Sequence, residues 1–109
     1  MKFLISGSGA MGVAHLKAIA AIEGSEVSAL QSRTQEGAEK VAKDYGVPFA
    51  TTDYESAIKR DDVDAVIITG PTQIHADQAE AAMRAGKHVI IEIPICDSAA
   101  DAERIVRVQ

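Results

Sequence analysis

The sequence predicts an α/β domain built on a doubly wound parallel sheet with helices on both faces. Short apolar runs alternate with amphipathic stretches along all 109 residues. Runs such as AVII and HVII are unbroken apolar segments, which is typical of parallel strands buried on both faces. Three glycines at G-x-G-x-x-G spacing follow the first run and open the first amphipathic stretch. Because crossovers between parallel strands are right-handed, we expect the strand order 3-2-1-4-5.

Five apolar runs predict the strands, and helical patterns lie between them. The strands are expected at residues 3–5, 27–30, around Phe49, 65–69 and 89–92. Apolar residues at i, i+3 and i+4 spacing predict four helices, which contain Val13, Leu16 and Ala20; Ala38, Val41, Ala42 and Tyr45; Ala79, Ala82 and Met83; and Ala102, Ile105 and Val106. The last pattern opens at Ser98 and still continues at Gln109, so we expect a longer protein.

Composition limits the classes of partner. Cys96 is the only cysteine, so neither an internal disulfide nor a zinc site with paired cysteines is available. The net charge is −5 with no cluster of basic residues, which argues against a nucleic-acid surface. The longest apolar runs are far shorter than the ~20 residues of a membrane span. We therefore expect a cytoplasmic protein with a small-molecule substrate and no nucleic-acid or membrane partner.

The glycine motif predicts a turn that holds a dinucleotide. It follows a strand directly and opens a helix within a βαβ unit, the context in which the motif indicates phosphate binding. The first glycine permits the tight turn, the second allows a pyrophosphate to approach, and the third lets the helix pack on the strand. The alternative is a packing turn without a ligand. The cofactor contacts expected here are Gly7, Ser8, Gly9, Ala10, Met11 and Gly12.

The end of the second strand predicts which dinucleotide is bound. Sites for NAD usually place a carboxylate there to accept hydrogen bonds from the ribose 2'-hydroxyl. This chain has Ser32, Arg33 and Thr34 instead, a set that suits the 2'-phosphate of NADP. The alternatives are that Arg33 is a solvated surface residue and that Thr34 only caps the next helix.

Three segments in the second half of the chain are ITGPTQIH, AGKHV and EIP. They resemble the Pro-Thr/Asn-x-x-His, Ala-Gly-Lys-His-Val and Glu-Lys-Pro segments of the Gfo/Idh/MocA oxidoreductase family, and the resemblance covers essentially residues 1–109. It implies a Rossmann domain that binds NAD or NADP, with a further C-terminal α/β domain for substrate binding and oligomer contacts that this chain lacks. The additional cofactor contacts it implies are Gly70, Pro71, Thr72, His75, Glu92 and Pro94.

The chain departs from the family at Ile93, where most members have the lysine that takes part in proton transfer beside the nicotinamide. Isoleucine can neither accept nor donate a proton, so no catalytic residue is expected in this domain. The Glu-Ile-Pro form is most similar to the branch of the family that acts in aromatic-acid breakdown. Its members use NADP to oxidise the cyclic hemiacetal of 4-carboxy-2-hydroxymuconate semialdehyde to 2-pyrone-4,6-dicarboxylate.

Two other functions are compatible with the same residues. One is a freestanding, non-catalytic dinucleotide-binding module, which the loss of the family lysine favours. The other is a related dehydrogenase or reductase that acts on another aldehyde, sugar or imine. We expect His15 to be structural and His88 to pack at the start of a buried strand. Cys96 is expected to be inert, because no basic residue lies near it in the sequence.

Overall fold

The computed structural model describes residues 1–70 and 74–91. Five strands form one parallel sheet in the order β3-β2-β1-β4-β5, as predicted. The strands are β1 (Lys2–Ser6), β2 (Glu26–Gln31), β3 (Phe49–Thr51), β4 (Ala65–Ile68) and β5 (His88–Ile91). The helices between them are α1 (Ala10–Ala20), α2 (Gln35–Tyr45), α3 (Tyr54–Ile58) and α4 (His75–Arg84). The helix predicted around Ala102–Val106 lies outside the described residues.

Two apolar layers cover the two faces of the sheet, because successive residues of a strand point to opposite sides. Ile5 of β1 packs with Leu16 and Ile19 of α1 on one face. Leu4, its neighbour in the chain, packs with Ala76 and Ala79 of α4 on the other. Helices α1 and α2 therefore cover one face and α3 and α4 cover the other, which confirms the doubly wound arrangement.

Strand β5 departs from the prediction of strands buried on both faces. Val89 and Ile91 pack against the layer that contains α4, whereas Ile90 is 48% exposed and His88 is also exposed. The expectation that His88 packs in the interior is wrong. The reason is positional, since β5 is an edge strand and no described helix covers its second face.

Helix α3 was not predicted, and its length explains why. It has only five residues, so the i, i+3, i+4 pattern of Tyr54, Ala57 and Ile58 spans little more than one turn, short of the window of about 11 residues over which helical periodicity is recognised. Its start is marked instead by a cap, because the Asp53 side chain accepts a hydrogen bond from the main-chain N–H of Ser56 at 3.2 Å. Among residues 1–70 and 74–91, no helix is long and apolar enough to cross a membrane.

Candidate dinucleotide-binding site

A cleft of about 600 Å³ opens at the carboxyl edge of β1, β2 and β4. This is the point where the strand order reverses direction, and open α/β sheets bind their ligands at such points. Its wall combines the glycine turn after β1, the segment after β2, the end of β4 and the first turns of α4. The lining residues are Ser6, Gly7, Ser8, Gly9, Gln31, Ser32, Arg33, Thr34, Thr69, Gly70, Ile74 and Gln78.

Each of the three motif positions requires glycine for a different structural reason, or leaves space beside it. Gly7 has φ of +122°, and a Cβ there would lie 2.3 Å from Oγ1 of Thr69. A Cβ on Gly12 would lie 2.2 Å from the carbonyl oxygen of Gly7, so α1 packs directly on the turn. A Cβ on Gly9 would meet nothing within 4 Å. Gly7 and Gly12 are therefore required by packing, whereas the space beside Gly9 is left open.

Helix α1 begins at this open space and presents unpaired donors to it. Gly9 is its N-cap, and no side chain caps the helix or places a carboxylate in its first turn. The first hydrogen bond within the helix runs from the N–H of Val13 to the carbonyl of Gly9 at 3.0 Å. The N–H groups of the residues between them have no acceptor within the helix. Together with the helix dipole, these donors suit an anionic group such as a pyrophosphate.

The segment after β2 places two hydroxyls and one cation at the cleft. Oγ of Ser32 lies 2.7 Å from Oγ of Ser8, which ties this segment to the glycine turn. Arg33 is exposed at the rim. Oγ1 of Thr34 accepts a hydrogen bond from the main-chain N–H of Gly37 at 3.1 Å and so caps α2. Thr34 therefore does cap α2, as the alternative proposed, but the cap uses its oxygen only as an acceptor. The O–H proton of Thr34 stays available for a second partner.

A buried polar network below the cleft was not predicted as part of the site. Oγ of Ser6 donates to Oε1 of Gln31 at 2.8 Å, and Nε2 of Gln31 donates to the carbonyls of Ser32 and Thr52 at 3.2 and 3.3 Å. On the other side, Oγ1 of Thr69 donates to the carbonyl of Ser6 at 2.9 Å. The feature of the sequence that could have predicted this network is a polar residue at the end of each of three apolar runs, namely Ser6, Gln31 and Thr69. These bonds fix the relative positions of the three strand ends.

The buried side chain of His75 holds Gly70, which follows β4. This side chain is only 2% exposed, and its Nε2 lies 2.7 Å from the carbonyl oxygen of Gly70. A carbonyl can only accept, so Nε2 carries the proton. Gly70 lines the cleft, and the part played by His75 as a cofactor contact stays a prediction. Of the other expected contacts, Pro71, Thr72, Glu92 and Pro94 lie outside the described residues, as does Ile93.

Tyr54 supports the α4 wall of the cleft from behind. Its hydroxyl donates to the main-chain carbonyl of Gln78 at 2.7 Å. Burial raises the pKa of Tyr54 above its ordinary value, and the carboxylate of Glu55 adds a smaller contribution in the same direction. The phenol is therefore neutral across the physiological range and remains a donor.

Comparison with known proteins identifies the fold family. The family described as "Oxidoreductase family, NAD-binding Rossmann fold", GFO_IDH_MocA, matches residues 1–109. The chain belongs to this family. The resemblance predicted from the three sequence segments is confirmed, and so is the expectation of a nicotinamide dinucleotide cofactor. The domain is an NAD-binding Rossmann domain of the oxidoreductase class.

Two curated relatives and one solved structure indicate the range of activities among similar proteins. The chain is 49% identical over 107 residues to 4-carboxy-2-hydroxymuconate-6-semialdehyde dehydrogenase of Sphingobium sp., covering 98% of this chain and 34% of that protein. It is 39% identical over 101 residues to D-xylose 1-dehydrogenase (NADP(+)) 2 of Haloferax volcanii, covering 91% of this chain and 30% of the relative. A 3-ketoreductase from Actinomadura kijaniata, solved with TDP-benzene and NADP, superposes with a TM-score of 0.90 at 32% identity, covering 99% and 34%. The chain therefore spans about a third of the length of these proteins.

Proposed function

We propose that the cleft binds NADP in preference to NAD. Binding of a dinucleotide is supported by the open space beside Gly9, where a glycine N-cap leaves the first N–H groups of α1 without an acceptor in the helix, and the preference for NADP is carried by the segment after β2. In this assignment the pyrophosphate lies at those groups. Ser32, Arg33 and Thr34 then hold the 2'-phosphate, since no carboxylate follows β2 to bind a free 2'-hydroxyl. The name of the Haloferax relative and the NADP in the ketoreductase structure support the same cofactor.

The expected preference follows from one charge-assisted contact. A hydrogen bond to an ionised group is worth about 1.5 to 3 kcal/mol, which corresponds to about 10- to 100-fold in affinity. Arg33 supplies this contact because it is the cation of the segment that lines the cleft. NAD lacks the 2'-phosphate, so its binding gains nothing from the contact with Arg33.

Calorimetric titration of the 109-residue chain with NADP and NAD at one salt concentration tests the proposal. Wild type should bind NADP at least about tenfold more tightly. Arg33→Ala should remove most of that preference and leave NAD binding nearly unchanged. Lys40→Ala is the matched control, because it removes an exposed cation from α2 outside the cleft. Equal losses of NADP and NAD in Arg33→Ala would contradict the 2'-phosphate assignment.

We further propose that the domain serves an NADP-dependent dehydrogenase for the hemiacetal of 4-carboxy-2-hydroxymuconate semialdehyde. The support is the 49% identity to the Sphingobium enzyme, together with the Glu-Ile-Pro segment. NADP supplies the hydride acceptor for this oxidation. The chain's own contribution is to bind and orient the cofactor, because Ile93 offers no group that moves a proton.

The substrate site is proposed to lie in a C-terminal α/β domain beyond these 109 residues, which would also make the oligomer contacts. The relatives are about three times as long as this chain, which leaves room for such a domain. A dicarboxylate substrate needs cationic anchors, and a domain with 16 acidic and 11 basic residues is a poor source of them. The cytoplasmic location stays a prediction.

A sugar dehydrogenase is the second candidate, favoured by the 39% identity to the xylose enzyme. The two candidates separate in a spectrophotometric assay of the protein that carries this domain, in which the hemiacetal and D-xylose are offered with NADP. Turnover of the hemiacetal alone supports the first candidate, and turnover of xylose supports the second. NADP binding without turnover of either substrate would favour the non-catalytic module.

A further inference from the structure

His75 is a buried histidine beside the cleft that does not itself line it. The residue is 2% exposed, and its Nε2 lies 2.7 Å from the carbonyl oxygen of Gly70. Among the described residues, the wall of the cleft includes Gly70 and Ile74, and His75 is not one of the lining residues. An effect of His75 on a ligand in the cleft can therefore run through Gly70.

The peptide bond between Gly70 and Pro71 can offer a ligand only an acceptor. Proline has no N–H, so this peptide carries one carbonyl oxygen and no donor. If the carbonyl faced the cleft, the negative end of its dipole would meet the bound ligand. The phosphate groups of a dinucleotide are anionic acceptors, so a carbonyl that faces them repels them. Binding is therefore favoured when this carbonyl is directed elsewhere.

Gly70 is also the point at which this wall is able to turn. The preceding residue is fixed, because the main-chain N–H and Oγ1 of Thr69 both donate to the carbonyl of Ser6 at 2.9 Å. Gly70 itself has no side chain to restrict its backbone. Without the hydrogen bond from His75, its carbonyl would be a buried acceptor left unpaired, which costs free energy. Water in the cleft that Gly70 lines offers a replacement donor, and to reach it the carbonyl has to turn towards the ligand space.

We infer that His75 is a positioning residue, whose Nε2–H holds the carbonyl of Gly70 away from the cleft and so keeps an acceptor from facing the anionic cofactor. This inference rests on the proposed dinucleotide site. It requires a donor at the position of Nε2 and not merely a side chain of similar size. Gly70 follows β4, whereas the segment proposed to hold the 2'-phosphate follows β2, on the other side of β1. The binding of NADP and of NAD should therefore depend on His75 by similar factors.

Two amide substitutions place a donor at different positions of the lost ring. The amide nitrogen of glutamine is separated from Cβ by as many bonds as Nε2 of histidine, whereas that of asparagine corresponds to Nδ1. In calorimetric titrations of the 109-residue chain with NADP, His75→Gln should bind within about threefold of wild type. His75→Asn and His75→Leu lack a donor at the required position and should bind about fivefold or more weakly. The matched control is His88→Leu, the same change at an exposed histidine outside the cleft, which should retain wild-type affinity.

The outcomes separate this role from a merely structural one. A common loss of affinity in all the variants of His75, or wild-type affinity in His75→Leu, would overturn the inference and leave the dinucleotide site intact. If His75→Leu fails to fold, the comparison of His75→Gln with His75→Asn decides. An NMR spectrum of the ring nitrogens in wild type needs no variant, and a proton on Nδ1 instead of Nε2 of His75 would also overturn the inference. Absence of NADP binding in wild type would refute the proposed site, and this inference with it.

Discussion

Substituting Gly12 with alanine puts helix propensity and packing in direct opposition. Gly12 lies inside α1, where alanine is favoured over glycine by about 1 kcal/mol. On that basis alone the variant should be more stable than wild type. The structure indicates the reverse, because the added methyl carbon would lie 2.2 Å from the carbonyl oxygen of Gly7 and 3.0 Å from its carbonyl carbon.

The size of the effect follows from what has to move. Real Cβ atoms essentially never come within 3.0 Å of another heavy atom, and the obstructing atoms are main chain. The turn cannot simply withdraw, since the N–H of Gly7 donates to the carbonyl of Gln31 at 2.8 Å. Helix α1 must therefore shift, and overpacking of this kind costs about 1 to 3 kcal/mol. Taking the upper end and subtracting the gain in propensity, we expect Gly12→Ala to lose about 2 kcal/mol of stability.

Urea unfolding followed by circular dichroism measures this difference, and Gly9→Ala serves as the matched control. The same methyl group at Gly9 meets nothing within 4 Å and replaces a glycine N-cap, so the loss of stability should stay below about 1 kcal/mol. Its methyl group occupies the space proposed for the pyrophosphate, so both NADP and NAD should bind more weakly. A Gly12→Ala protein as stable as wild type, or more stable, would show that α1 does not pack on the turn in this way.

Substitutions at three further positions test contacts, two beside the cleft and one in the loop that precedes β4. Tyr54→Phe removes the donor from the Gln78 carbonyl and should lower the free energy of unfolding by about 1 kcal/mol in urea titrations. Thr34→Ala removes the cap of α2 and should cost about 1 kcal/mol, most of which Thr34→Ser should restore. The hydrogen bond from Arg60, at 2.8 Å, lowers the pKa of Asp62 below its usual 3.8, so the ionised carboxylate stabilises the fold above that pH. Asp62→Asn should therefore cost less than about 1 kcal/mol at neutral pH, and its difference from wild type should vanish in strong acid.

The sheet order was predictable because apolar runs and right-handed crossovers leave few alternatives. The role of the glycine turn in packing was also accessible, since the motif spacing specifies a close approach between helix and strand. Apolar periodicity did not predict α3, because its five residues fall short of the window of about 11 residues over which a helical pattern is recognised. The exposure of His88 depends on which helix covers an edge strand, which is a property of the whole sheet.

The polar residues of the cleft show a different limit of sequence reasoning. Gln31 and Gln78 belong to one residue type and are equally buried, yet one is fully bonded and the other is not. The difference arises from their neighbours in space, because Ser6 donates its hydroxyl to Gln31, whereas no described residue donates to Oε1 of Gln78. No spacing along the chain distinguishes the two, because Ser6 lies 25 residues from Gln31.

The polar groups that remain available in the cleft are complementary to the phosphates of a nucleotide. Ser6, Gln31 and Thr69 bond to one another and to main-chain carbonyls, so the floor of the cleft is organised before a ligand arrives. Among the described residues, the groups that remain available at the cleft include the first N–H donors of α1, the hydroxyl proton of Thr34 and the guanidinium of Arg33. Hydrogen-bond donors and a cation match phosphate oxygens. The net charge of −5 opposes the approach of an anion at long range, so affinity must come from these short-range contacts and from Arg33.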